Sequence, residues 1–128
     1  MPVPDYETLM LPVLRLIASG AKNVADCLPS LKTEFGISDE EARQLIPSGR
    51  ITVLQSRAHW ARTYLAKAGL LQSPKRNLHV VTDRGRQLLA TNPQRIDNKL
   101  LDQFAGFNEW RAAGSTGPLP VAGPASTV

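Results

Sequence analysis

Hydrophobic positions recur at α-helical spacing along most of this chain, and the period changes once, past its middle. Tyr6, Leu9, Val13, Leu16 and Ile17 form the first stripe, and with Asp5 as cap they predict an amphipathic helix ending near Gly20. A second helix is expected from Asn23 toward Gly36, burying Val24, Leu28, Leu31 and Phe35, with Pro29 kinking it or delaying its start. Ser38-Asp39-Glu40-Glu41 has the form of a capping box, Glu41 reaching back to Ser38. The short acidic helix it opens is expected to end at the Pro47-Ser48-Gly49 break. From Ile51 to Ala68 the pattern is strongest: Leu54, Ala58, Ala61, Leu65 and Ala68 make a continuous stripe, and Trp60 and Tyr64 widen it. Gln55, Ser56, His59, Arg62 and Thr63 occupy the opposite face, and Gly69 is placed to close the helix in the left-handed conformation.

The period then shortens. Leu70-Leu71-Gln72 and Leu78-His79-Val80-Val81-Thr82 predict two short strands, joined by Ser73-Pro74-Lys75-Arg76-Asn77 with its two cations at the tip. Thr82-Asp83 opens another helix, Asp83 favourable beside its positive end, with Leu88 and Leu89 inward and Asn92-Pro93 as the stop. A last amphipathic stretch runs from Ile96 through Leu100, Leu101, Phe104 and Phe107 to Trp110 and is expected to pack on the core or on a partner. From Gly114 the chain has no charged residue and is mostly Gly, Pro, Ser and Thr. The expected organisation is therefore one domain over 1–112 and a disordered tail or linker over 113–128.

Charge changes the picture. Between Arg50 and Lys99 ten Lys or Arg face two acids, a local net charge of +8, while the rest of the chain carries five against nine. So uneven a distribution attracts a polyanion, and the phosphate backbone of a nucleic acid is the natural one. The order of elements agrees: a helix with a polar outer face, followed at once by a hairpin with a cationic tip, is the layout of a winged helix-turn-helix. The expected fold class is mainly α with a small β-hairpin. A helix fits the major groove, and a hairpin tip can lie on the adjoining backbone.

Residue roles follow from that layout. Gln55, Ser56, His59 and Arg62 are candidate base readers, since Gln can pair with adenine and Arg with guanine. Ser48 and Arg50, before the helix N-terminus, suit a phosphate. Lys75 and Arg76 are candidate backbone contacts; Arg84 and Arg86 are further ones, each as well explained as a surface charge near Asp83. For Arg57 and Lys67 the expectation is packing of their aliphatic stems. Trp60 and Tyr64 are expected in the core. His59 and His79 lie far apart in sequence with no Cys or carboxylate pair at ligand spacing, which argues against a metal site. No nucleophile accompanies His59, so neither a catalytic residue nor a cofactor is expected.

The remaining composition sets bounds. At 128 residues with 42% hydrophobic and 20% charged content the chain has the make-up of one soluble domain. The single Cys27 forms no internal disulfide and sits in an apolar pattern, as a buried thiol would. The N-terminus lacks a signal-peptide pattern and no stretch is long enough to span a membrane, so the expected location is the cytoplasm.

The run WARTYLAKAGLL (Trp60 to Leu71), with TDRGR (Thr82 to Arg86) and the FGISDEEARQLIPSG stretch, resembles the N-terminal winged-helix domain of Mrr-type restriction endonucleases over roughly Pro2 to Arg111. The resemblance implies a DNA-binding domain that, in the family, precedes a Mg²⁺-dependent nuclease domain with a PD-(D/E)xK core. Pro4-Asp5 and Asp97-Asn98-Lys99 match that motif only as letters, because both fall at expected helix starts. The expected function is a non-catalytic DNA-binding module of a modification-dependent restriction system, with helix 51–68 in the major groove and wing 72–80 on the backbone. Its expected partners are double-stranded DNA, including methylated duplexes, a C-terminal nuclease domain or partner subunit, and a second copy as a homodimer. A stand-alone transcription regulator and a protein-interaction winged helix are the alternatives.

Overall fold

Short polar residues in extended backbone open the helices. The computed structural model describes residues 3–112. Along them run α1 (Tyr6–Ala18), α2 (Val24–Glu34), α3 (Asp39–Ala42), α4 (Val53–Lys67), β1 (Leu71–Lys75), β2 (Leu78–Val81), α5 (Asp83–Ala90), α6 (Asn98–Leu101) and α7 (Ala105–Ala112). Asp5, Asn23, Ser38, Thr52, Thr82 and Asp97 each accept from the backbone N–H three residues on, at the starts of α1 to α6. Each such cap satisfies an orphan donor and contributes about 0.5–2 kcal/mol. The capping box of Ser38 and Glu41 is complete.

Several boundaries differ from the sequence expectation. The acidic helix ends at Ala42, because the chain turns there into a bridged loop: Leu45 pairs with Thr52, and Ile46 N–H donates to the Ile51 carbonyl. That loop moves the start of α4 to Val53, with Thr52 as its cap. Pro29 neither ends α2 nor delays it, since the helix runs from Val24 to Glu34 with the proline inside. The stretch from Ile96 to Trp110 divides into α6 and α7, and it packs on the domain itself, with Ile96, Leu101 and Phe107 fully buried. Residues 113–128, expected as a tail, lie outside the described residues.

The core forms where α1 crosses α4. Leu9, Met10, Val13 and Leu14 meet Leu54, Ala58, Ala61 and Leu65, and the alanines let the two backbones approach closely. Tyr64 of α4 is the aromatic centre of a second cluster, its ring 5.0 Å from Tyr6, 5.6 Å from Phe107 and 5.2 Å from Trp110. Arg57 and Lys67, expected to pack by their aliphatic stems, are engaged through their charged ends. The Arg57 guanidinium donates to the Val3 carbonyl at 2.7 Å, and the Lys67 ammonium lies 5.7 Å from the Trp110 ring centre. Cys27 is buried, and burial, helped by Asp26, pushes its thiol up to about 11, far from a reactive thiolate. No helix among the described residues is long and apolar enough to cross a membrane.

The end of α4 decides how the hairpin leaves it. Gly69 takes φ +82°, and Leu70 N–H reaches back to the Leu65 carbonyl at 3.0 Å, closing the helix in a Schellman turn. Strands β1 and β2 pair antiparallel with Leu71 opposite Val81 and Gln72 opposite Val80, then shift register so that Lys75 faces Leu78. The bulge absorbs Ser73-Pro74, which the sequence placed in the loop, and it leaves a two-residue turn, Arg76-Asn77, with Asn77 at φ +60°. The fold is mainly helical with one small antiparallel sheet: a winged helix-turn-helix.

Gly85 of α5 lies against the root of the hairpin, where an added Cβ would collide with the Leu70 carbonyl and come within 2.6 Å of Val81 Cγ2. Gly85→Ala should therefore destabilise the domain by about 1–3 kcal/mol, despite the helix preference for Ala. Urea unfolding checks this, and an unchanged or raised midpoint would contradict the close approach.

Candidate nucleic-acid interface

Helix α4 is covered by α1, α2, β1 and α7, so only a narrow strip of it faces outward. Gln55, His59 and Arg62 stand on that strip at i, i+4 and i+7, all partly exposed. Ser56 does not. One residue further round the helix turns it by about 100° away from Gln55, and there it is fully buried, its hydroxyl without a hydrogen-bond partner. The expectation of Ser56 as a base reader is corrected: no ligand reaches it.

The hairpin folds back beside α4, and the two together enclose an open groove of about 660 Å³. His59 and Arg62 line it from the helix; Ser73, Lys75, Arg76, Asn77 and His79 line it from the wing. The helix cation and the wing cations thus share one side of the molecule. No carboxylate lines the groove. Lys75 and Arg76 are exposed and form no ion pair among the described residues. His59 and His79, twenty positions apart in sequence, are brought together here because the two-residue turn returns β2 along the helix. Even so, the described residues hold no group of three or more His, Cys, Asp or Glu able to bind a metal.

Electrostatics in the groove follow from crowding of positive charge. Burial, then Arg62, then His79 hold the His59 imidazole down to about 4. His79 is lowered too, by burial and by Arg62, and burial lowers Arg62 itself. Both rings are therefore neutral at pH 7. His79 is only 8% exposed, and its Nδ1 lies 2.7 Å from Ser73 Oγ. Its backbone N–H donates to the Lys22 carbonyl at 2.7 Å, and Asn23 Nδ2 donates to the Asn77 carbonyl at 3.3 Å, so the loop between α1 and α2 holds the wing in place.

The other expected contacts lie elsewhere. Ser48 and Arg50 sit exposed in the bridged loop before α4 and do not line the groove; Arg50 N–H points to Ser48 Oγ at 3.4 Å. The N-terminus of α4 is already served by Thr52, which weakens the case for a phosphate there. Arg84 has a structural task. Its Nη1 donates to the Ala68 carbonyl at 3.0 Å and its guanidinium lies 5.0 Å from the Phe104 ring centre, so it caps the end of α4, away from the groove lining. Arg86 pairs with Asp83 at 3.0 Å. Asp5 and Asp97, the acids of the two letter matches to a nuclease motif, are both spent as helix caps.

Ser73, Asn77 and His79 were not anticipated as site residues. His79 shares the alternation of β2 with Val81, both buried, and that phase was the available signal. Ser73 had none, because its position depends on the bulge.

The fold and the groove together define a winged-helix domain with a basic, carboxylate-free cleft between helix and wing. The chain belongs to the Mrr N-terminal domain family, whose model matches residues 6–91. It is also similar to the type IV methyl-directed restriction enzyme EcoKMrr of Escherichia coli (strain K12), 34% identical over 107 residues, which are 82% of this chain and 35% of that enzyme. The chain thus spans about a third of that relative's length. No solved structure matches it.

Two substitutions separate structure from binding at this surface. Ser56→Ala should leave nucleic-acid affinity unchanged and hold or raise stability by up to about 1 kcal/mol, since it removes an unsatisfied buried hydroxyl. Arg84→Ala should lower stability by about 1 kcal/mol through loss of the cap. Thermal unfolding beside a mobility-shift titration tests both, and a binding defect in folded Ser56→Ala would reinstate that residue as a contact.

Proposed function

We propose that this domain is a non-catalytic duplex-DNA-binding module of a modification-dependent restriction system, acting in the cytoplasm. The observation that carries the reading is the groove, where cations from α4 and from the wing converge with no acid among the lining residues. A surface of that kind concentrates a polyanion and releases its counterions on contact. With the outer strip of α4 toward the major groove, Gln55 is the side chain nearest base edges, and Lys75 and Arg76 lie along the neighbouring backbone. Membership of the Mrr N-terminal domain family supports the restriction role, as does the methyl-directed activity in the name of its relative. In this reading cleavage belongs to a nuclease domain or partner subunit beyond the described residues, and methylated duplexes are the first ligands to try.

Lys75→Ala combined with Arg76→Ala should weaken binding to every duplex and flatten the slope of log K against log salt by up to about two units. Gln55→Ala should instead change the ranking of a panel of methylated and unmethylated duplexes while leaving that slope alone. If neither variant alters binding at low salt, the DNA face is somewhere else. Binding that ignores salt altogether would favour a protein-docking surface.

A further inference from the structure

The floor of the groove differs from its rim. Lys75, Arg76 and Asn77 are exposed, whereas Arg62, His59 and His79 lie deeper. The Nε of Arg62 is buried and has no hydrogen-bond partner, and Arg62 forms no salt bridge among the described residues. A half-buried guanidinium without acceptor or counter-charge is unfavourable until something anionic arrives. A base edge offers it neutral acceptors only; a phosphodiester offers charge, and its oxygens can meet the part of the guanidinium that lines the groove. Position agrees. If α4 lies toward the major groove and the wing on the adjoining backbone, one strand must cross the space between them, which is this groove.

We propose that the floor of the groove is a seat for a single backbone phosphodiester, with the Arg62 guanidinium as its principal ligand and the His59 and His79 rings beside it. The proposal rests on the DNA-binding reading and goes beyond it, because it takes Arg62 from the base readers and assigns it to one phosphate. A second property follows. The groups facing the two rings are Arg62 from α4, Lys75 and Arg76 from the wing, and Lys22 from the loop between α1 and α2. Arg86 of α5 approaches His79 from the other side, with the exposed Asp83 paired to it. Burial first, and then the charge of Arg62, keep both rings neutral in the free domain. A phosphodiester reverses the local sign. An imidazolium at His79 can then donate Nδ1–H to Ser73 Oγ and turn Nε2–H to the phosphate. The bound state thus holds more protons than the free state, and by linkage affinity rises as pH falls.

Fluorescence anisotropy of a short labelled duplex, at constant ionic strength from pH 8 to pH 5.5, tests this. Wild-type affinity should rise on acidification, by up to about tenfold per pH unit for each proton taken up. His79→Gln, which keeps a hydrogen-bonding partner for Ser73 Oγ, should flatten that rise, and His59→Gln should reduce it. Lys75→Ala with Arg76→Ala should weaken binding at every pH and keep it. Arg62→Gln should cost about tenfold or more in affinity. A scan of single methylphosphonate linkages should find one position where neutralising the phosphate weakens wild type but does not weaken Arg62→Gln further. Binding that depends on Lys75 and Arg76 but ignores Arg62, or an Arg62 effect coupled to base identity and to no linkage, overturns the phosphate seat alone. Absence of binding to any duplex at low salt overturns the DNA reading with it.

Discussion

Two carbonyl oxygens at the end of α4 hold the helix and the wing together. The last carbonyls of a helix lack partners, and here those of Ala68 and Gly69 are met by Arg84 Nη1 at 3.0 Å and Thr82 Oγ1 at 2.6 Å, both from the start of the next helix. Thr82 also accepts from Gly85 N–H, and its own N–H donates to the Leu70 carbonyl. One threonine thereby ends α4, roots the hairpin and begins α5. The angle at which the wing leaves α4 follows from this joint, and the groove exists only because that angle folds the wing back beside the helix. The absence of a side chain at Gly85 is part of the same constraint.

Charge is sorted by the fold after it is supplied by the sequence. Of the ten cations between Arg50 and Lys99, Arg57, Lys67, Arg84, Arg86 and Arg95 are engaged with carbonyls, rings or carboxylates. Of the five that remain, Arg62, Lys75 and Arg76 line one groove, and Arg50 and Lys99 lie outside it. The excess of positive charge in the sequence therefore overstated the number of cations free for a ligand, while understating how closely the free ones gather. A field from three convergent cations in a concave, carboxylate-free space is more selective for a backbone than the same net charge spread over a surface.

How far the sequence carried the reading can be judged element by element. Periodicity located α1, α2, α4 and α5 because each has a polar cap and an apolar stripe. The capping box also located the start of α3 but not its end, because contacts across the bridged loop, Leu45 with Thr52 and Val53 N–H with the Gln44 carbonyl, replace its expected last turn. Local pattern misjudged the hairpin tip, since Pro74 reads as a turn signal and becomes a strand residue only through a bulge. On α4, helical arithmetic put Gln55, His59 and Arg62 on one outward strip, as the structure has them, but set Ser56 beside them, because burial on the flank of α4 comes from elements distant in the chain. The capping task of Arg84 was hidden for a similar reason: its partners, Ala68 and Phe104, are set by chain reversal and not by local pattern.

Three buried polar atoms among the described residues go without a partner: Ser56 Oγ, Arg62 Nε and Asn98 Oδ1. They are not equivalent. The Ser56 hydroxyl is neutral and sealed from ligands, so its cost is an ordinary imperfection of packing. Asn98 is otherwise well held, its Nδ2 donating to Tyr6 Oη at 2.7 Å and its N–H to Glu7 at 3.0 Å. Arg62 alone combines a formal charge, partial burial and an opening to solvent through a groove. Desolvating a charge is the largest of the three penalties, and a fold retains it where a ligand relieves it. The wing is already pinned at Lys22 and Asn23, so that relief requires little ordering of the hairpin, and more of the interaction with an incoming anion is left to appear as affinity.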